Sequence, residues 1–321
     1  MKILVTGGCG FIGHNVVQRL QSLGHEVMII DNETDYNIIN PDELEYIMYE
    51  RKKKFEYQTN IQHYNVQDSM ISMHMNMFKP DTVIHLASFP RQKIVNFNPM
   101  IGARVMCEGL LNMLQLSVKH QVSKFVYISS SMIYGNFNDD VKEDAICNPM
   151  GQYAIMKYMG EKLVQDYSRR DLLNHTIIRP SAVYGELDVE DRVVSKFMLA
   201  ALRDETLEVR GANERLDFTY VEDIVDGIVA ASLSNNTENK TYNITRSKSV
   251  SLLEAAELIV KIVGKGKINV IERDNSFPSR GSLNIDAAKR DFDFNPVIDI
   301  DTGFSWYYQW ITNSPYWKKN L

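Results

Sequence analysis

Cysteine is scarce. The 321 residues contain three, Cys9, Cys107 and Cys147, an odd number with no CxxC pair. That excludes a disulfide framework and a cysteine-based metal site, and it suits free thiols in a reducing compartment. Basic residues are in the minority, 35 Lys plus Arg against 41 Asp plus Glu, for a formal charge of -6. An acidic chain is repelled by phosphate polymers, so bulk capture of nucleic acid is excluded. No apolar run approaches the roughly 18 residues of a membrane helix. The opening MKILVTGG lacks the apolar stretch of a secretory signal. A cytoplasmic location with no membrane partner is expected. No repeat, low-complexity tract or metal-ligating cluster of His, Cys, Asp and Glu stands out, and no metal is expected. What remains, at 44% hydrophobic and 24% charged, is an ordinary globular composition suited to an enzyme or binder of small molecules.

The first half alternates short apolar runs with amphipathic stretches. Strands are predicted at 2–6, 26–30, 61–64, 82–86, 124–129 and 175–179, and helices at 11–23, 99–119 and 150–170. Several strands are continuously apolar, as in a parallel sheet covered on both faces. The βαβ alternation predicts an α/β fold, a doubly wound parallel sheet. After Pro180 the elements shorten: a helix near 192–203, a strand at 217–221, a helix at 252–263 and a last helix from about 301. We expect residues 1–175 to form a dinucleotide-binding domain, with returns near 211–240. Residues 176–321 should form mainly a smaller, mixed α/β substrate lobe over the sheet's carboxyl edge. The basic run Arg51–Lys54 reads as the solvated end of a helix.

Thr6 is followed by Gly7, Gly10 and Gly13 between the first strand and the first helix. The first glycine allows a tight turn, the second a close approach to a pyrophosphate, and the third close helix–strand packing. Free amides at the helix start would hold the diphosphate. Asp31 ends the second strand. A carboxylate there accepts from a ribose 2'-hydroxyl and repels a 2'-phosphate, so NAD is favoured over NADP.

Tyr153 and Lys157 lie one turn apart in the helix predicted at 150–170. A phenol ionises near pH 10, and a neighbouring ammonium favours the phenolate. Such a pair is a general base for a hydroxyl undergoing oxidation, and an acid in reverse. Ser129, Ser130 and Ser131 end the fifth strand, where a hydroxyl could hold the reacting oxygen.

Taken together, TGGCGFIG, Asp31-Asn32, His85-Leu-Ala, SSSMIYG at 129–135, YAIMK, RPSAVYG at 179–185, DFTYVED at 217–223 and Ser279-Arg280-Gly resemble the extended short-chain dehydrogenase/reductase superfamily. Within it the chain is similar to NAD-dependent nucleotide-sugar epimerases and dehydratases, the group typified by UDP-galactose 4-epimerase. The resemblance implies a Rossmann sheet, NAD as cofactor and a nucleotide sugar as substrate. It makes Tyr153 and Lys157 the catalytic pair and Ser130 the substrate-facing hydroxyl, with Ser131 the alternative. It places Phe11, Ile12, Asn32, Asn65, Val66, Leu86, Ala87, Ser88, Pro180 and Val183 beside the cofactor. It also implies a homodimer built on the helices at 99–119 and 150–170.

Departures from the pattern narrow the reaction. Dehydratases of this group carry acid after the catalytic Ser or Thr, where this chain has Ser131 and Met132. That leaves reversible oxidation at one carbon, and 4-epimerisation through a transient 4-keto sugar is the first expectation. A nucleotide-sugar dehydrogenase or 4-ketoreductase with net NAD(H) turnover is the alternative, and a non-catalytic NAD(H) sensor a lesser one. Ala182, Leu216 and Met106 replace an asparagine, an arginine and a second asparagine of the family pattern. Arg91, Arg215 and Arg280 are the candidates for the substrate diphosphate, since an arginine fork suits phosphate.

Overall fold

Apolar residues of the first strand alternate between two cores, and that alternation organises the molecule. Strand β1 (Lys2–Thr6) sends Ile3 and Val5 to one side and Leu4 to the other, all fully buried. Ile3 and Val5 join Val16, Val17 and Leu20 of the helix Phe11–Ser22 and Ile224 and Ile228 of the helix Val221–Leu233. Leu4 joins Ile71 and Met75 of the helix Ile71–Phe78, Leu110 and Leu114 of Gly109–Lys119, and Val164 of Gln152–Arg169. Each such side chain contributes about 1.5–3 kcal/mol when removed from water. A strand with both faces covered needs apolar residues at every position, and Ile-Leu-Val supplies them.

The computed structural model describes the chain except residues 35–39, 56–58, 90–91 and 190. Besides β1, the main sheet contains β2 (Glu26–Asp31), β3 (Asn60–His63), β4 (Thr82–His85), β5 (Lys124–Ile128), β6 (Asn174–Pro180) and β7 (Lys240–Ile244). Their order is β7-β6-β5-β4-β1-β2-β3, and all six pairings are parallel. Strand order reverses between β1 and β4, the place where open α/β sheets form a ligand crevice. The expected doubly wound sheet is present.

Three features differ from the sequence reading. The sheet draws β7 from residues 240–244, well past residue 175. Next, the helix expected at 99–119 is Pro99–Ala103, a π-helical turn at Arg104–Glu108, and Gly109–Lys119. Thirdly, the strand expected at 217–221 is split into Arg215–Leu216 and Thr219–Tyr220. The buried Asp217 between them turns its carboxylate to Thr245 Oγ1 at 2.8 Å and the Leu283 amide at 3.1 Å. The later segments add small sheets: Thr206–Arg210 pairs with Lys267–Ile271, and Arg215–Leu216 with Val250–Ser251. Asp223, in the first turn of Val221–Leu233, accepts from the amides of Val297 and Ile298, both at 3.0 Å. That contact ties the later chain to the sheet.

Behind the carboxyl edge, Arg179 and Glu161 form a buried pair, exposed by 5% and 0% at their side chains. The guanidinium donates Nε to Oε1 at 3.0 Å and Nη2 to Oε2 at 2.8 Å. Its Nη1 donates to Tyr134 Oη at 2.7 Å and the Glu143 carbonyl at 2.8 Å. Removing one partner strands the other charge in the interior. Glu161→Ala is expected to destabilise the fold by about 3–5 kcal/mol in urea unfolding. A loss below about 1 kcal/mol would show that solvent reaches the pair.

Candidate active site

The glycine loop is built by exclusion. Gly7 has φ +72°, and a Cβ there would lie 2.7 Å from the Ala87 nitrogen. A Cβ on Gly13 would strike the Gly7 carbonyl oxygen. Without those side chains, the helix Phe11–Ser22 starts directly against β1. Gly10 precedes it with no side-chain cap, so the first-turn amides are not claimed by a capping group. Asp31 accepts from the amides of Cys9 and Glu33, each at 2.8 Å. Burial pushes its carboxyl up, and those two amides act in the opposite direction. Thr6 Oγ1 bonds His85 Nδ1 at 2.9 Å and accepts from the Ala87 amide at 3.2 Å, fixing the β4 turn beside the loop.

A cavity of about 1100 Å³ runs from this loop across the carboxyl edge. Gly7, Gly10, Phe11, Ile12, Gly13, Asp31, Asn32, Asn65, Val66, Leu86, Ala87 and Ser88 line one end. Pro180 and Val183 also line it, as do Ser130, Tyr153 and Lys157. Asn32 Nδ2 donates to Asn65 Oδ1 at 2.8 Å, so two of the expected cofactor residues brace each other.

Ser130 and Ser131 separate clearly. Ser130 faces the Tyr153 phenol, which its hydroxyl favours as phenolate, while Ser131 Oγ donates to Ser181 Oγ at 3.0 Å. Lys157 is buried, donates Nζ to the Ile128 carbonyl at 2.7 Å, and lies 6.0 Å from the centre of the Tyr153 ring. Burial lowers it to about 7, with Glu161 opposing. Burial raises Tyr153 above the usual phenol value, against Arg192 and the Ser130 hydroxyl. The lowering of the phenol expected from the Lys157 ammonium together with an oxidised nicotinamide is not seen for the chain by itself. Desolvation dominates, and the opposing cation is Arg192.

The model for the NAD dependent epimerase/dehydratase family matches residues 3–245. The chain belongs to that family. It is 30% identical to the protein CapI of Staphylococcus aureus, over 99% of this chain and 100% of CapI. Among solved structures it resembles the UDP-glucose 4-epimerase of Thermotoga maritima, solved with UDP-glucose, at 25% identity and TM-score 0.86. That match covers 97% of this chain and 98% of the other. It also resembles the UDP-glucuronic acid 4-epimerase of Bacillus cereus, solved with UDP-glucuronic acid and NAD, at 25% identity and TM-score 0.88 over 97% and 98% of the two chains.

The cofactor of the family is NAD, and these residues fit it. The tight turn that Gly7 and Gly13 permit, the uncapped helix start and the Asp31 carboxylate together form a dinucleotide cradle. Of the diphosphate candidates, Arg215 and Arg280 both line the cavity. Arg215 is largely engaged, donating Nε to Ser249 Oγ at 2.8 Å and Nη2 to the Ser249 carbonyl at 2.7 Å. Arg280 has a buried Nε with no partner; burial lowers the guanidinium to about 10 and Glu214 opposes this. Arg91 lies outside the described residues.

Sequence reasoning passed over Arg51, Asp188, Arg192 and Lys196, all in the cavity wall. The i,i+4 spacing of Arg192 and Lys196 was the available signal. It also expected Met106 beside the cofactor, where the wall is instead Val105. Met106 turns inward against Phe89 and Val95. No helix among the described residues is long and apolar enough to cross a membrane.

Proposed function

We propose that the chain is an NAD-dependent nucleotide-sugar 4-epimerase. The observation that carries this reading is the grouping of Ser130, Tyr153 and Lys157 in one cavity wall, with Met132 beside them where an eliminating enzyme needs an acid. The likeness to two 4-epimerases of UDP-sugars supports it. In this reading Ser130 holds the sugar C4 hydroxyl, Tyr153 takes its proton and later returns it, and Lys157 favours the phenolate. NAD, when bound, supplies reversible two-electron oxidation at the same carbon. Arg280, with Arg215 beside it, would meet the diphosphate. A panel of UDP-, GDP-, CDP- and dTDP-sugars should give inversion at C4 with no net NADH absorbance. Stoichiometric NADH would instead assign a net oxidoreductase. Tyr153→Phe is expected to lower kcat by about 10²–10⁴ while NAD still binds, and unchanged turnover would remove Tyr153 from the mechanism.

The ionisation of the pair sets the pH dependence. In this reading the working form holds one proton between Tyr153 and Lys157. The first proton leaves near the Lys157 value of about 7, and the second above the ordinary phenol value of about 10. Activity should rise with pH through about 7 and fall only in strong alkali. Lys157→Met should move the rising limb to the phenol's own value, leaving little turnover at neutral pH. A kcat/KM profile whose rising limb stays in place in that variant would contradict this assignment.

A homodimer belongs to the same proposal. Met100 is 69% exposed, Ile101 41% and Ile155 52%, and these lie on the two helical segments that would pair. Exposed apolar residues grouped on such segments suit an interface. Light scattering is expected to give twice the chain mass of 36.9 kDa; a monomer at micromolar concentration would count against it.

A further inference from the structure

Arg51 closes the helix Pro41–Lys52, and the solvated helix end expected of it is not found: its side chain is buried. Nη1 donates to the Cys9 carbonyl at 3.2 Å and Nη2 to the Leu187 carbonyl at 2.7 Å. These carbonyls belong to two loops far apart in the chain. Cys9 sits in the glycine loop, and its amide donates to Asp31. Leu187 precedes Asp188, which lines the cavity with Arg192 and Tyr153 and lies 3.6 Å from the Arg192 Nε. Leu187 itself has φ +63°, a conformation that a leucine holds only under outside constraint. Burial lowers the guanidinium to about 10, with Asp188 and Asp31 opposing. Burying a cation merely to fill space is unfavourable, so its two main-chain contacts call for a role.

We propose that Arg51 is a positioning residue that couples the NAD end of the cavity to the sugar end, holding residues 186–189 in place when NAD sets the glycine loop. The path is continuous: Asp31 carboxylate, Cys9 peptide, Arg51 fork, Leu187 carbonyl. A dinucleotide seated on Asp31 and the loop fixes the Cys9 peptide. The guanidinium is planar, so directing one nitrogen at a fixed carbonyl also directs the next. The coupling is reciprocal by linkage, and an occupied sugar end strengthens NAD retention. This inference rests on NAD binding and not on which reaction follows.

Hydrogen–deuterium exchange of residues 186–189, with and without saturating NAD, tests it in the wild-type, Arg51→Met and Arg51→Lys proteins. In the wild type NAD should slow exchange of the segment by about tenfold or more. Arg51→Met should abolish that effect while NAD still protects residues 7–13. Arg51→Lys, which keeps the charge but loses the fork, should show a reduced effect, and it carries the comparison if Arg51→Met does not fold. UDP serves as a second probe: NAD should tighten its binding in the wild type but not in Arg51→Met. Two outcomes would overturn the proposal. One is NAD protection of 186–189 that is equal in both variants and the wild type. The other is a wild-type segment that does not respond to NAD. A purely structural role would raise exchange throughout the chain, with and without NAD.

Discussion

The backbone of Gly7 lies so close to Ala87 that one added methyl group would sit 2.7 Å from the neighbouring nitrogen. Everything at the carboxyl edge depends on that approach. It lets the turn after β1 and the turn after β4 share one crevice, held by the Thr6 hydroxyl on His85 and on the Ala87 amide. It also brings the uncapped start of Phe11–Ser22 to the crevice floor. The sheet supplies rigidity because its interior strands are buried on both faces. The glycines supply the opening.

Around that crevice the chain buries charge with unusual thoroughness, and each instance has a distinct solution. Arg179 is neutralised by Glu161 and donates through all three of its nitrogens. The Lys124 Nζ donates to the Ala231 and Ser234 carbonyls at 2.8 and 2.7 Å and to Thr237 Oγ1 at 2.6 Å, with Glu238 adding a favourable charge. Lys157 has a single carbonyl partner, and its proton is accordingly loosely held. Burial lowers both lysines, Lys124 to about 8 and Lys157 to about 7, since a buried cation keeps its proton only as far as its surroundings replace water. The proton that moves is the one least well replaced.

Much of this was legible in the sequence. Short runs alternating with amphipathic stretches, several of them continuously apolar, marked the first six strands, and the glycine spacing suggested the cradle. The helix Leu252–Val263 falls at its expected bounds because Ser251 and Glu254 form a capping box and Gly264 ends it in a left-handed turn. What escaped was settled by distant partners. Strand β7 reads Lys-Thr-Tyr-Asn-Ile, too polar for a buried strand. Yet Asn243 is satisfied by Tyr134 Oη, the carbonyls of Val141 and Asn284, and the Glu143 carboxylate. Arg51 looked like solvent-facing charge because its acceptors, Cys9 and Leu187, lie far away along the chain. Residue type alone does not reveal a main-chain acceptor supplied by another loop.

The wide turn at Arg104–Glu108 amounts to one residue more than a uniform α-helix would hold. Each residue of an α-helix turns the chain by about 100°, so the turn offsets the face that follows it from the face before. That offset is how Val105 reaches the cavity while Met106 packs inward and Leu110 meets the core of β1. The helix is thus a gearing between two surfaces cut at different phases. A relative lacking that single residue would keep the same apolar rhythm, yet present a different side chain to the dinucleotide.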